Sequence, residues 1–225
     1  MSATHFTEDS QPQDRRPSSA TVGDPLAQAI EAMGVCMTFA KDEEIYGQGE
    51  DADLIYRVVS GSVRTSRFMS DGRRQVAGFY HAGDVFGAEP GPEHRFSAEG
   101  LSDCTIQVLK RSALKSLADR DLSLERRLWA LTVDELRHAQ DHSLLLARKT
   151  ACERVASFLL EMSDRFGRDD LELAMGRQDI ADYLGLTIET VSRMLTQLQN
   201  SRLIEIAHSR TLKVRDRQGL IDLSE

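Results

Sequence analysis

The stretch that most constrains this chain runs from Arg177 to Leu198, RQDIADYLGLTIETVSRMLTQL. Apolar residues recur at Ile180, Ala181, Leu184, Leu186, Val191, Met194, Leu195 and Leu198, close to helical spacing. Gly185 interrupts them where a tight turn needs a residue that tolerates positive φ. Thr187 follows as an N-cap, its hydroxyl placed to accept from the first free N–H groups of a second helix. The spacing predicts two short helices joined by a turn.

Glu189, Ser192 and Arg193 then fall in the first two turns of the second helix, with Glu189 and Arg193 four apart on one face. A recognition helix carries its base-reading side chains there. Arginine forks onto guanine O6 and N7, glutamate accepts from cytosine N4, and serine reaches a neighbouring base. A surface helix pair with one exposed Glu–Arg pair is the plainer alternative. Thr187, Thr190 and Arg177 are the candidate DNA-backbone contacts beside the base-reading set. Downstream, Leu203–Ala207 and Thr211–Val214 flank His208-Ser209-Arg210 and predict a hairpin wing. Arg210 and Lys213 there are further candidates for phosphate contacts, or parts of a solvated hairpin.

Charge bears on this reading. The chain's formal net charge is −8, against the usual sign for a DNA binder. Between 187 and 217, however, six cations face three carboxylates, a local excess of +3. Long-range attraction to DNA is expected to be modest, and binding to depend on pairing of subunits and on base contacts.

From Met37 to Leu109, short β-branched or aromatic runs alternate with turn signals: Glu44–Tyr46, Leu54–Val59, Val63–Phe68, Gln75–Tyr80 and Thr105–Lys110. That texture predicts a small all-β barrel or sandwich, with Asp71-Gly72 as a hairpin turn. Pro25 to Met33 predicts one short helix. Residues 112–148 read helical almost throughout, with Asp121 or Ser123 as a cap. Two apolar stripes run along this segment: Leu124, Leu128, Leu131 and later Leu145, and Trp129, Val133, Leu136, Leu144 and Ala147. Two stripes imply burial on two sides, one against the β domain and one against a second copy. Thr150 to Phe166 reads as a further helix, followed by a breaker cluster at 167–170.

The helix-turn-helix segment resembles the signature of the CRP/FNR family of bacterial transcription regulators, and DIADYLGLTIETVSR resembles its FixK branch. DGRRQVAGFY, GDVFG and FSAE extend the resemblance upstream, over about residues 24 to 217. It implies an α+β chain. A disordered tail would occupy 1–23, and a β-roll resembling a cyclic-nucleotide-binding domain 24–120. A long dimerisation helix would occupy 121–148 and a winged helix-turn-helix 149–225. It implies a homodimer, with Leu124, Leu128, Leu131 and Leu145 on the dimer helix. It implies a contact between RNA polymerase and the hairpin at Asp71, Gly72, Arg73 and Arg74. The DNA site implied is a palindrome of the TTGAT-N4-ATCAA type, read by Glu189, Ser192 and Arg193. Ile188 stands where CRP-type proteins carry arginine, which favours that site over the CRP-type one.

Some relatives of this kind respond to cyclic nucleotides, iron–sulfur clusters or haem. Here Gly83-Asp84 matches the glycine-acid pair only if Asp stands for Glu, and Arg95 is followed by Phe96 rather than Ser. A phosphate needs that guanidinium and free N–H groups in one pocket. Cys36, Cys104 and Cys152 are the only cysteines, too few for a four-thiolate cluster. His81, His94, His138 and His142 are candidate haem ligands, and His138 with His142 is spaced to clip a metal. The expectation is no cofactor and no metal; a haem or nitric-oxide sensor of the same fold, or a cyclic-nucleotide-responsive regulator, is the alternative. No catalytic motif is present, so an enzyme is not expected. No apolar run approaches membrane-spanning length and no secretory signal is evident, so a cytoplasmic protein is expected.

Overall fold

A computed structural model describes residues 23–89 and 91–224. All but Gly23 of the tail expected over 1–23 lies outside them. Helix α1 (Pro25–Met33) begins with proline at its first position, and Asp24 Oδ1 accepts from Leu26 N at 2.9 Å. Eight strands follow: β1 (Val35–Phe39), β2 (Glu44–Tyr46), β3 (Leu54–Ser60), β4 (Ser62–Phe68), β5 (Arg74–His81), β6 (Val85–Phe86), β7 (Ser97–Gly100) and β8 (Cys104–Lys110). They form two antiparallel sheets, ordered β1-β8-β3-β6 and β2-β7-β4-β5. The short strands β6 and β7 carry too few alternating residues to be seen in the sequence. Inward-facing Tyr46, Tyr56, Val58, Val63, Phe86, Ala98, Ile106 and Val108 form the core of this β-roll.

Helix α2 (Arg111–Ala118) stops at a short break, and α3 (Leu122–Arg148) restarts where Asp121 Oδ1 accepts from Ser123 N and Leu124 N. At 27 residues, α3 is about 40 Å long. The four leucines expected on a dimer seam pack inside their own chain. Leu124 is only 1% exposed, in one cluster with Leu26, Ile30, Ile55 and Leu109; Leu128 and Leu131 pack against that cluster, and Leu145 against the C-terminal core. The other stripe is the open one: Trp129, Leu136 and Leu144 are exposed, as is Leu122, which the sequence reading does not place on it. Two apolar stripes on one helix are equivalent by periodicity, and only tertiary packing tells them apart.

Helix α4 (Ala151–Phe166) opens with a reciprocal cap between Thr150 and Glu153 and ends at Gly167, whose φ is 62°. Strand β9 (Asp170–Glu172), helices α5 (Arg177–Leu184) and α6 (Ile188–Asn200), strands β10 (Ile204–Ile206) and β11 (Thr211–Val214) and helix α7 (Arg217–Ser224) complete the chain. The wing is three-stranded, ordered β10-β11-β9. Val155, Phe158, Leu159, Leu184, Leu195 and Leu212 share one core with Val76, Phe79 and Leu101 of the β-roll. The two halves are therefore docked through a common apolar interior. Among the described residues, no helix is long and apolar enough to cross a membrane.

Candidate nucleic-acid interface

The α5–turn–α6 unit is held from below by apolar residues and from its ends by polar ones. Ile180, Ala181, Leu184, Val191, Leu195 and Leu198 are buried, leaving the other face of α6 in solvent. Gly185 adopts φ 63°, which ends α5 in a left-handed residue. Thr187 Oγ1 accepts from Thr190 N at 3.2 Å and caps α6. Arg154 of α4 ties the unit to the end of the long helix: its guanidinium donates to Leu184 O, Leu146 O and Lys149 O at 2.8–2.9 Å. These are carbonyls that two helix ends leave without partners, and a cation there also suits both helix dipoles. No local pattern in the sequence points to Arg154, because its three acceptors are backbone atoms.

On the open face, Glu189 and Arg193 are exposed and Ser192 is half-buried. Arg193 has no ion-pair partner among the described residues and is free to meet an external acceptor. Glu189 is held below its ordinary carboxylate range by its own backbone N–H first and by the Thr187 hydroxyl second. It remains an acceptor at neutral pH. Thr190 Oγ1 lies 3.2 Å from Thr187 Oγ1. Arg177, at the start of α5, donates from Nη1 to Ser192 Oγ at 3.1 Å. Ser192, Arg193, Thr196, Gln197, Asn200 and Ser201 line a shallow concavity along α6.

The wing carries less free charge than the sequence count suggests. Lys213 Nζ lies 2.9 Å from Asp170 Oδ1, Arg215 donates to Glu205 Oε2 at 2.7 Å, and Arg217 pairs with Asp164. Asp164, Asp169 and Asp170 lie outside residues 187–217 in sequence, and the fold brings them beside these cations. Arg202 and Arg210 are exposed without ion pairs among the described residues.

The β4–β5 hairpin reaches toward this unit. At its tip Asp71 and Arg73 pair with each other at 2.7 Å in solvent, Gly72 takes φ 82°, and Phe68 and Met69 are exposed. Arg74, grouped with this tip by the sequence, points elsewhere. It donates to Asp179 Oδ1 and Asp182 Oδ2 of α5, both at 2.7 Å, and is not available to an external partner. Arg64 of β4 joins Asp179 at 3.1 Å, and Gln75 Nε2 donates to Tyr183 O at 3.2 Å. Single-sequence reading misses this junction because its partners are more than 100 positions apart.

The interior of the β-roll is aromatic. Tyr46 stacks on His94 with ring centroids 3.6 Å apart, and Tyr56 stacks on Phe86 at 5.1 Å. A Cβ on Gly87 would meet the Tyr56 ring at 2.6 Å. Asp84, which matches the acid of a glycine-acid pair only if Asp stands for Glu, accepts from His81 N at 2.6 Å and pairs with Arg165 of α4. Arg95 N bonds Glu89, as does His94. His81 Nδ1 lies 2.9 Å from Ser62 Oγ, and His142 stacks on Tyr183 at 4.2 Å. His138 and His142 lie parallel with centroids 6.5 Å apart. Cys36 is exposed, Cys104 buried and Cys152 intermediate.

Residues 36–121 match the model of the cyclic nucleotide-binding domain, and 153–223 that of the Crp-like helix-turn-helix domain. The chain is 49% identical over 200 residues to the nitrogen fixation regulation protein FixK of Azorhizobium caulinodans, across 86% of this chain and 81% of that protein. It is 42% identical over 187 residues to FixK of Rhizobium meliloti, across 83% and 85% of the two. The solved structure of FixK2 from Bradyrhizobium japonicum superposes with a TM-score of 0.83 at 49% identity, covering 86% of this chain and 98% of that one.

Proposed function

The chain belongs to the CRP/FNR family of transcription regulators, as a FixK-type member with a helix-turn-helix DNA-binding domain, and from that premise we propose how it reads DNA. It is a regulator and not an enzyme, as its relatives are. Two copies pair along α3 and place their α6 helices in successive major grooves, about 34 Å apart, on a TTGAT-N4-ATCAA-type palindrome. Glu189, Ser192 and Arg193 read bases. Thr187, Thr190, Arg177 and Arg210 hold the backbone, with Lys213 joining them where a phosphate displaces Asp170. The observation that carries this reading is the capped α6, whose open face presents an unpaired guanidinium, a carboxylate acceptor and a hydroxyl within two turns.

The hairpin tip of Asp71, Gly72 and Arg73, flanked by exposed Phe68 and Met69, is the RNA polymerase contact. The protein works as an activator in the cytoplasm, on genes of low-oxygen respiration, denitrification or nitrogen fixation, the last supported by the relatives' names. It acts without cyclic nucleotide, a reading supported by the aromatic stack that fills the β-roll and by the engagement of Asp84 with Arg165. It also acts without a four-thiolate iron–sulfur cluster, since the chain has three cysteines in all.

Fluorescence anisotropy of the aerobically purified protein, with no ligand added, tests this at fixed salt. A labelled TTGAT-N4-ATCAA duplex should bind at least about 10³-fold more tightly than a scrambled one. Equal, weak binding to both would overturn the reading and bring a haem or ligand-gated state forward.

A further inference from the structure

We propose that Arg177 is a positioning residue that fixes Ser192 as a hydrogen-bond donor and so makes it reject cytosine at the base it faces. The inference rests on the proposed DNA reading and adds to it the sign of one contact.

A serine hydroxyl is ambiguous: it carries one proton and two lone pairs, and it rotates to suit its neighbours. In a helix it commonly gives its proton to the carbonyl four residues back. Thr196, one turn on in the same helix, does so, donating to Ser192 O at 2.9 Å. Ser192 does not. Its Oγ receives Arg177 Nη1 at 3.1 Å and, among the described residues, donates to no protein acceptor. A guanidinium has donors only, so this bond settles the direction. One lone pair is engaged, and the proton and the second lone pair are left over for the face that meets DNA.

Arg177 is suited to hold this arrangement. It is the first residue of α5, half-buried, and its Nε is enclosed without a hydrogen-bond partner. No carboxylate pairs with it among the described residues. A charge-assisted bond to the hydroxyl polarises the O–H, which strengthens it as a donor.

The consequence is chemical. In the major groove guanine offers O6 and N7, adenine N7 and thymine O4, all acceptors. Cytosine offers only its N4 donor. A free serine would rotate and accept from that amine. A serine already accepting from Arg177 keeps its proton to give but has only its second lone pair for that amine, on an oxygen whose electron density the guanidinium draws off, so it favours the acceptor bases over cytosine.

The test is a binding series on the palindrome with all four bases placed symmetrically at each half-site position, for wild type, Ser192→Ala, Arg177→Met and the double variant. Wild type should reject cytosine at one position by roughly 5- to 150-fold, the range of one good base contact. Ser192→Ala should flatten the preference there to within about two-fold. Arg177→Met should restore cytosine at that same position, and the double variant should match Ser192→Ala there. Arg177→Met lowering every sequence by one factor, with the salt slope reduced by about one and cytosine still rejected, would overturn the proposal and leave Arg177 a phosphate contact alone. So would a Ser192→Ala variant with base preferences intact, which does not depend on how Arg177→Met folds. Wild type failing to prefer any palindrome over scrambled DNA would instead sink the underlying reading.

Discussion

Arg74 of the β-roll hairpin donates from Nη2 to Asp179 Oδ1 of helix α5 at 2.7 Å, across the boundary between the two halves of the chain. Arg74 and Asp179 side chains are 17% and 11% exposed, so this is a largely desolvated pair. Asp179 also accepts from Arg64 and from Gly176 N at the start of α5. One carboxylate thus fixes the first helix of the DNA-reading unit to two strands. Asp179→Ala leaves Arg74 with Asp182 alone, and Arg64 with Glu99 and Asp42. Because both guanidiniums keep a carboxylate, a loss of about 1.5–3 kcal/mol is expected, lowering Tm by roughly 3–12 °C, together with weaker DNA binding. Arg73→Ala, in the solvated pair at the hairpin tip, should leave Tm unchanged. Melting curves of the two variants side by side check the contrast; equal curves would show that the junction contributes nothing.

Arg193 and Lys213 are both cations near the DNA face, but among the described residues only Lys213 has an ion pair, with Asp170. Arg193→Ala should lose about 1–3 kcal/mol on the palindrome and little on scrambled DNA. Lys213→Ala should lose less, and equally on both, because a phosphate contact there first has to displace Asp170. Anisotropy titrations of both variants on both duplexes read this directly. Equal losses on the two duplexes for Arg193→Ala would reduce it to a backbone contact.

The contrast between these two residues shows what the sequence carries and what it does not. The turn at Gly185, the cap at Thr187 and the open face of α6 are local, so spacing alone displays them. The wing charges are not local: Lys213 finds Asp170 through the β9–β11 register, 43 positions away. Nothing near Arg74 in sequence separates it from the exposed hairpin tip, because its partners, Asp179 and Asp182, lie more than 100 positions away. On α3, periodicity displayed both apolar stripes but held no information on which one the β-roll covers.

His81 and His142 both lie where the halves meet. Burial first, then the nearby Arg165, pushes His81 down to about 4; burial first, then His138 and Arg154, pushes His142 to about 4. Both are neutral in the folded chain at pH 5, while the unfolded chain binds their protons below about 6.5. The unfolded state then holds more protons, so stability rises with pH across this window. It should be complete above about pH 6.5 and fall as pH drops toward 4, by up to about 1.4 kcal/mol per pH unit for each histidine. Burial raises the Asp84 and Glu135 carboxyls, which take up protons in the folded state and oppose the trend at its acid end. Denaturant melts from pH 4 to 8 measure the slope. His142→Phe should reduce it between pH 6.5 and 4, and an unchanged slope would remove His142 from this account.

Trp129 is the only tryptophan, and it is 72% exposed on α3, seven residues from exposed Leu122 and Leu136. A heptad spacing of large apolar residues in solvent fits the seam of two paired helices. Covering each such side chain is worth about 1.5–3 kcal/mol. If a second copy covers this stripe, Trp129 emission should be blue-shifted at high concentration and move red on dilution, in step with the mass seen by sedimentation. Leu136→Glu should leave the fold intact, since the side chain meets solvent within one chain, but shift the protein to monomer. Loss of the paired half-sites should then weaken palindrome binding by roughly 10²- to 10⁴-fold while single half-site binding stays as it was. A Leu136→Glu protein that remains dimeric, or a Trp129 spectrum blind to dilution across dissociation, would place the subunit interface elsewhere.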